Sequence, residues 1–371
     1  MRLTIKTLGR RWRGMLGLTT LLGVGLAWWP YALIGAGYSF LYSEAGIVAV
    51  RKNLEDVRWY QDANGSAVVL VKDNGARWMM HDGYPSLLFD GSGRLVYQES
   101  LIGAGLTALL PESKRNKALV LGFGTGISAG VIAAHFAQVT VYEIRPAMLA
   151  LARGNFAKNN RGVLDRANVT IKLQDGVLGA ASNNVKYDGI WVNVPSPGMR
   201  GAEKILATET LVTLKHSLSD DGLVFFWMHT GMGRPALAVL NHTVTQTLGP
   251  CRYFLLGPRY LQLVCAPGMT RHAFMAMPVH QLGDYAVYAD MDFGAAVAAS
   301  ELRPVDPGWD SQAPLHSYDK PWFDTRALYI AHFDPKLQAR VSKLFEPRYP
   351  KRFCSLMVDT GFRWFSWQIC G

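Results

Sequence analysis

The chain has 371 residues, enough for one large domain with additions or for two modest domains. Its hydrophobic fraction of 49% and aromatic fraction of 11% allow a sizeable core. The formal net charge of +10 would suggest an anionic partner only if clustered, and the one tight cluster is Arg2, Lys6, Arg10, Arg11 and Arg13. Elsewhere Lys and Arg are scattered, so nucleic acid is not an expected partner.

The basic cluster precedes a stretch without charge, Gly14 to Ser43. About 20 apolar residues span a bilayer, so residues 14–42 are long enough for a single membrane helix. Trp28 and Trp29 suit the interface, and Pro30 could kink or end the helix. Positive charge ahead of the run keeps the N-terminus in the cytoplasm. The expected location is the inner membrane, single-pass, with the main domain outside the cytoplasm. A cleaved signal peptide is the rival, because Gly25-Leu-Ala27 resembles a cleavage site.

Residues 44–96 read as a small β domain. Val57 to Tyr60, Ala67 to Val71 and Ala76 to Met80 are strand-like, with turns at Asn64-Gly65 and Asn74-Gly75. Residues 97–112 lead by a helix into an α/β domain over 97–268. Strands are expected at 118–121, 139–143, 168–173, 188–194, 222–228, 252–256 and 260–265. Helical patterns at 127–136, 146–158, 207–218 and 234–247 alternate with them. Alternation predicts a mostly parallel, doubly wound sheet. The closing strands flank Gly257-Pro258, so the sheet should end in an antiparallel hairpin. That is the methyltransferase-like α/β fold. Residues 269–371 form a mixed C-terminal extension with short helical runs such as Pro335 to Phe345.

Cys251 and Cys265 bracket the hairpin turn, and Cys354 and Cys370 bracket another turn-like segment. Each pair is either a disulfide, in keeping with an export segment, or two buried thiols. No C-x-x-C pair occurs, and the histidines show no metal-like spacing, so no metal is expected.

The densest signal is Ala118 to Leu121 running into Gly122-Phe-Gly-Thr-Gly126. A helix-like segment, Ile127 to Phe136, and a second strand ending in Glu143 follow. Such a unit holds a nucleotide-shaped ligand: the glycines let the backbone approach, and the acid accepts from ribose hydroxyls. Ile127 breaks the G-x-G-x-x-G spacing of dinucleotide binders. G-x-G-x-G suits an adenosyl amino acid better, with Gly122, Gly124, Thr125, Gly126 and Glu143 at the cofactor. Two further strand ends carry Gln174-Asp-Gly176 and Asn193. Asp175, with Gly176 beside it, could accept the adenine amino group, and Asn193 would stand by the reacting centre.

In this order the segments His81-Asp-Gly83, Tyr97-Gln-Glu99, Gly122 to Gly126, Tyr142-Glu-Ile-Arg-Pro146, Gln174 to Gly176 and Tyr187 to Asn193 resemble the spermidine synthase (polyamine aminopropyltransferase) family. The closest variant is its membrane-attached, synthase-like branch, with the Asp-x-Pro of Ser317-Tyr-Asp-Lys-Pro-Trp-Phe-Asp324. The resemblance implies transfer of an aminopropyl group from decarboxylated S-adenosylmethionine to a small amine. It implies roles for Tyr97 and Asn193 in catalysis and makes a homodimer possible. The departures fall on the amine side. Thr125 replaces an acid of the glycine loop, Arg145 the acid after Glu143, and Asn193 the strand-end acid. Gly93 and Arg94 stand where an Asp-Glu pair is usual. Methyl transfer from S-adenosylmethionine, or a non-catalytic module of the same fold, are the alternatives.

Overall fold

The computed structural model describes residues 54–81, 84–95, 99–194, 202–229, 233–257, 260–282, 293–306, 308–323 and 343–348. The apolar segment 14–42, Tyr97, Cys354 and Cys370 lie outside them, as do residues 335–342 of the expected C-terminal helical run. Among the described residues, no helix is long and apolar enough to cross a membrane.

The small sheet is a four-stranded antiparallel meander: β1 (Leu54–Asp62), β2 (Gly65–Lys72), β3 (Arg77–His81) and β4 (Tyr84–Phe89). The sequence pattern marked the first three strands and both Asn-Gly turns; β4 is additional. The meander packs on the helices Pro146–Gly154 and Ala157–Asn160 through Ala67, Val69, Met79 and Phe89, which join one buried core with Met148, Leu151 and Phe156, and through polar side chains beside it. Arg58 Nη1 donates to Asn155 Oδ1 at 3.0 Å, and Asn155 Nδ2 donates to the Tyr60 hydroxyl at 2.6 Å. Arg77 lies over the rings of Phe89 and Phe156, 5.2 and 5.5 Å from their centroids. Burial there lowers its pKa.

The large sheet has nine strands in the order β13-β12-β10-β11-β9-β8-β5-β6-β7. β5 (Lys117–Leu121), β6 (Gln138–Glu143), β7 (Val169–Leu173), β8 (Tyr187–Val192) and β9 (Leu218–His229) run parallel. β10 (Cys251–Gly257) and β11 (Tyr260–Cys265) form the expected hairpin, and β11 pairs antiparallel with β9. This is the strand order of the methyltransferase-like fold. The apolar runs explain the centre: β5 is exposed at Lys117 and buried from Ala118 to Leu121, because helices cover both faces.

Two short strands complete the sheet, β12 (Glu301–Pro304) and β13 (Phe345–Pro347), both from the C-terminal extension. A buried ion cluster fixes them. Glu301 takes a bidentate fork from Arg252 of β10, at 2.7 and 2.8 Å, and a second contact from Arg348. The Arg252 and Glu301 side chains are 0% and 1% exposed. Cys251 and Cys265 face each other across β10 and β11 and are joined as a disulfide.

Candidate functional site

Strand order reverses at β5. The chain winds outward through β6 and β7, then returns to place β8 on the other side of β5. Ligands of open α/β sheets bind outside the carboxyl ends of strands at such a point. A cavity of about 640 Å³ lies there. Its walls include Gly122, Gly124, Thr125, Glu143, Asp175, Gly176 and Asn193. The fold thus brings together the expected site residues except Gly126, which is packed behind the loop and does not line the cavity, and Tyr97, which lies outside the described residues.

The glycine loop is built from its backbone. Gly122, Gly124 and Gly126 have φ of +89°, +58° and +82°, a region side-chain-bearing residues rarely occupy. Their spatial demands differ. A Cβ on Gly126 would fall 2.5 Å from the Phe123 ring and 2.9 Å from Val163, whereas one on Gly124 would meet nothing within 4 Å. Gly124 therefore faces open cavity, and Gly126 is packed. Thr125 is buried, and its carbonyl accepts from Asn160 Nδ2 at 3.0 Å.

Glu143 ends β6 almost fully buried. Its Oε2 accepts from the Phe123 and Gly124 amides at 2.8 and 3.3 Å, and its Oε1 from the Arg145 amide at 2.9 Å. A carboxylate has about four acceptor positions, so three are already committed to shaping the loop. Asp175 caps the helix Gly176–Ala181, its Oδ1 accepting from Val177 and Leu178 amides at 2.8 and 3.2 Å. Its second oxygen has no partner among the described residues. Gly176 serves packing, since a Cβ would come within 2.6 Å of Leu121 and 3.0 Å of Tyr142.

Asn193 follows β8, its amide bonded to the Leu121 carbonyl at 2.8 Å. Its carboxamide makes no hydrogen bond among the described residues. Arg145 is buried at the rim, its Nε 3.6 Å from Asp62 Oδ1 of β1 and its Nη1 against His81 Nε2. The meander thereby supplies part of the cavity wall. Arg94, by contrast, lies in an exposed turn and does not line the cavity.

The far end holds residues that the sequence pattern did not single out. Trp227 of β9 and Tyr260 of β11 meet edge to face, 5.2 Å between centroids. Gln262 lies two residues along β11. Lys204 and Tyr318 also line the cavity. The available signal was Gln262 itself, a lone amide in the apolar run Tyr260-Leu-Gln-Leu-Val-Cys265. Among the described residues, no group of three or more His, Cys, Asp or Glu could hold a metal ion.

No family model matches this sequence, and no curated protein matches it. Solved structures do. A spermidine synthase in complex with the transition state analogue AdoDATO aligns over 60% of this chain and 76% of its own, at TM-score 0.48 and 13% identity. The spermidine synthase from Thermotoga maritima aligns over the same shares at TM-score 0.48 and 14% identity. A probable spermidine synthase from Corynebacterium glutamicum ATCC 13032 covers 57% and 80%, at TM-score 0.44 and 17% identity.

Proposed function

We propose that the chain binds an adenosyl sulfonium donor and transfers an alkyl group from it to a small nucleophile. The observation that carries this is one continuous cavity running from the glycine loop and Glu143, past Asp175, to Asn193. The loop would hold the nucleoside, and the free oxygen of Asp175 would accept from the adenine amino group. The acceptor attacks the carbon next to sulfur: a bond to that carbon forms, the carbon–sulfur bond breaks, and the electron pair leaves with a neutral thioether. Asn193 can orient an attacking amine through its carboxamide oxygen but cannot take its proton at neutral pH. Its contribution is positioning.

The order of motifs favours decarboxylated S-adenosylmethionine as donor, with an aminopropyl group moving to an amine. Methyl transfer from S-adenosylmethionine is the second proposal, and one observation favours it. The only described carboxylates in the lining, Glu143 and Asp175, both stand at the nucleoside end. An aminopropyl donor and a polyamine would each need one at the other end. The Cys251–Cys265 disulfide and the basic, then apolar, N-terminal segment support placing the domain outside the cytoplasm.

Calorimetry of the full-length chain with S-adenosylmethionine, its decarboxylated form and methylthioadenosine tests the function. Binding of methylthioadenosine together with one of the two donors is the expected result, and which donor binds separates the two proposals. No heat with any of the three would overturn both.

A further inference from the structure

Gln262 is the polar exception in an apolar layer. Residues opposite each other on paired strands share a face, so Gln262 shares one with Trp227 on β9 and Phe254 on β10. On the same face, Trp191 stacks on Phe225 at 4.1 Å, and the Trp191 indole N–H donates to the Gly103 carbonyl at 3.3 Å. Helix Glu99–Gly105 thus lies across this layer. Gln262 is 3% exposed, and its carboxamide makes no hydrogen bond among the described residues. What exposure it has faces the cavity, whose wall it forms together with Gly103 and Leu256.

A Leu or Met would fill this nearly buried position with no polar group to satisfy, whereas the carboxamide keeps its polar atoms open to the cavity. Gly103 adds to the pattern. A Cβ there would fall 2.7 Å from Gln262 Oε1, so the missing side chain is what lets the carboxamide lie where it does. The position is kept polar and given room at once, as a ligand-reading group would be.

The charge around it narrows the ligand. The only carboxylates among the described lining residues, Glu143 and Asp175, are turned to backbone amides, and Lys204 adds a positive charge to the lining, whereas Arg145 lies beside Glu143 and is balanced by Asp62. A dication would enter without a described carboxylate beside it. The Trp227–Tyr260 pair and Leu256 form an apolar wall next to Gln262.

We propose that Gln262 determines acceptor specificity, and that the acceptor is an uncharged molecule with a flat apolar body and a paired donor and acceptor, as in a carboxamide. The body would rest on Trp227 and Tyr260, and the paired group would meet the carboxamide. This rests on the alkyl-transfer proposal for what happens next, but not for binding itself.

Benzamide and 1,4-diaminobutane serve as probes, titrated into the full-length chain with and without methylthioadenosine. Benzamide should bind at least about tenfold more tightly than the diamine, the scale of one hydrogen bond together with an excluded charge. Gln262→Leu should weaken benzamide about tenfold, leave methylthioadenosine unchanged and raise the melting temperature by a few degrees. Gly103→Ala, which moves the carboxamide without removing it, should weaken benzamide as well. Gln262→Glu should reverse the preference toward the diamine. Unchanged benzamide binding in both Gln262→Leu and Gly103→Ala overturns the proposal. So does a wild-type chain that binds the diamine as tightly as benzamide, or one that does not bind benzamide. Methylthioadenosine binding without benzamide binding would sink this inference alone. The reverse, with benzamide binding sensitive to Gln262, would sink the donor assignment alone.

Discussion

Two parts of the cavity are organised in opposite ways. At the glycine-loop end the polar side chains are committed to backbone: Glu143 to three amides, Asp175 to two, and Asn160 to the Thr125 carbonyl. Elsewhere in the cavity the carboxamides of Asn193, next to Gly122, and of Gln262, across the sheet from Trp227, make no hydrogen bond among the described residues. The first part is rigid before any ligand arrives, so its geometry specifies a shape. The second keeps uncommitted groups at some cost in stability, which suits a site whose selectivity depends on what it pairs with.

The strongest way to break this contrast is to remove the brace. Glu143→Ala leaves three amides without their acceptor and frees the loop. Methylthioadenosine affinity should fall about a hundredfold or more by calorimetry, on the scale of two to three charge-assisted hydrogen bonds. Unchanged affinity would mean that the nucleoside sits elsewhere.

A smaller effect separates shape from space within the loop. Gly126→Ala meets the Phe123 ring and a positive φ together, and should cost roughly 2–3 kcal/mol in chemical denaturation. Gly124→Ala meets only the positive φ and should cost about 1 kcal/mol. Its new methyl projects into the cavity, so it should weaken the nucleoside more than it weakens the fold. Equal losses of stability in the two variants would contradict the packing described for Gly126.

The smallest change sharpens the assignment of Asp175. Asn is as good a helix cap as Asp, so Asp175→Asn should leave stability within a few tenths of a kcal/mol, where Asp175→Ala should lose about 1 kcal/mol. If the second oxygen reads an adenine amino group, Asp175→Asn should still weaken methylthioadenosine several-fold. A variant that binds normally would leave Asp175 a cap and nothing more.

Much of the fold was legible because its signals are local and periodic. The apolar run at Ala118 to Leu121, the acid ending β6 and the Gly-Pro turn between β10 and β11 each mark an element on their own. What was illegible depends on partners distant in sequence. Glu301-Leu-Arg-Pro304 has two charges and a proline in four residues, and becomes a strand because Arg252 and Arg348 meet Glu301 in the interior. Helix Gly176–Ala181 was missed because two of its six residues are glycine, a poor helix former. Those glycines exist to clear Tyr142 beneath them.

The same division holds for the site. The loop, Glu143 and Asp175 were found at the expected strand ends. Their present partners could not be, because which amides turn toward a carboxylate depends on the left-handed turns of the loop. Arg145 was read as a charge reversal on the amine side. The structure adds that Asp62 and His81 of the meander hold it, a contact between segments far apart in the chain.

The Arg252–Glu301–Arg348 cluster ties the C-terminal extension to the sheet. A chain cut after residue 268 would keep every parallel strand and the whole glycine loop, yet lose Glu301 together with Phe274 and Met277, which surround the Arg252 guanidinium. It would also bare the outer edge of β10 to pairing with other chains. The C-terminal extension is therefore a seal on the sheet.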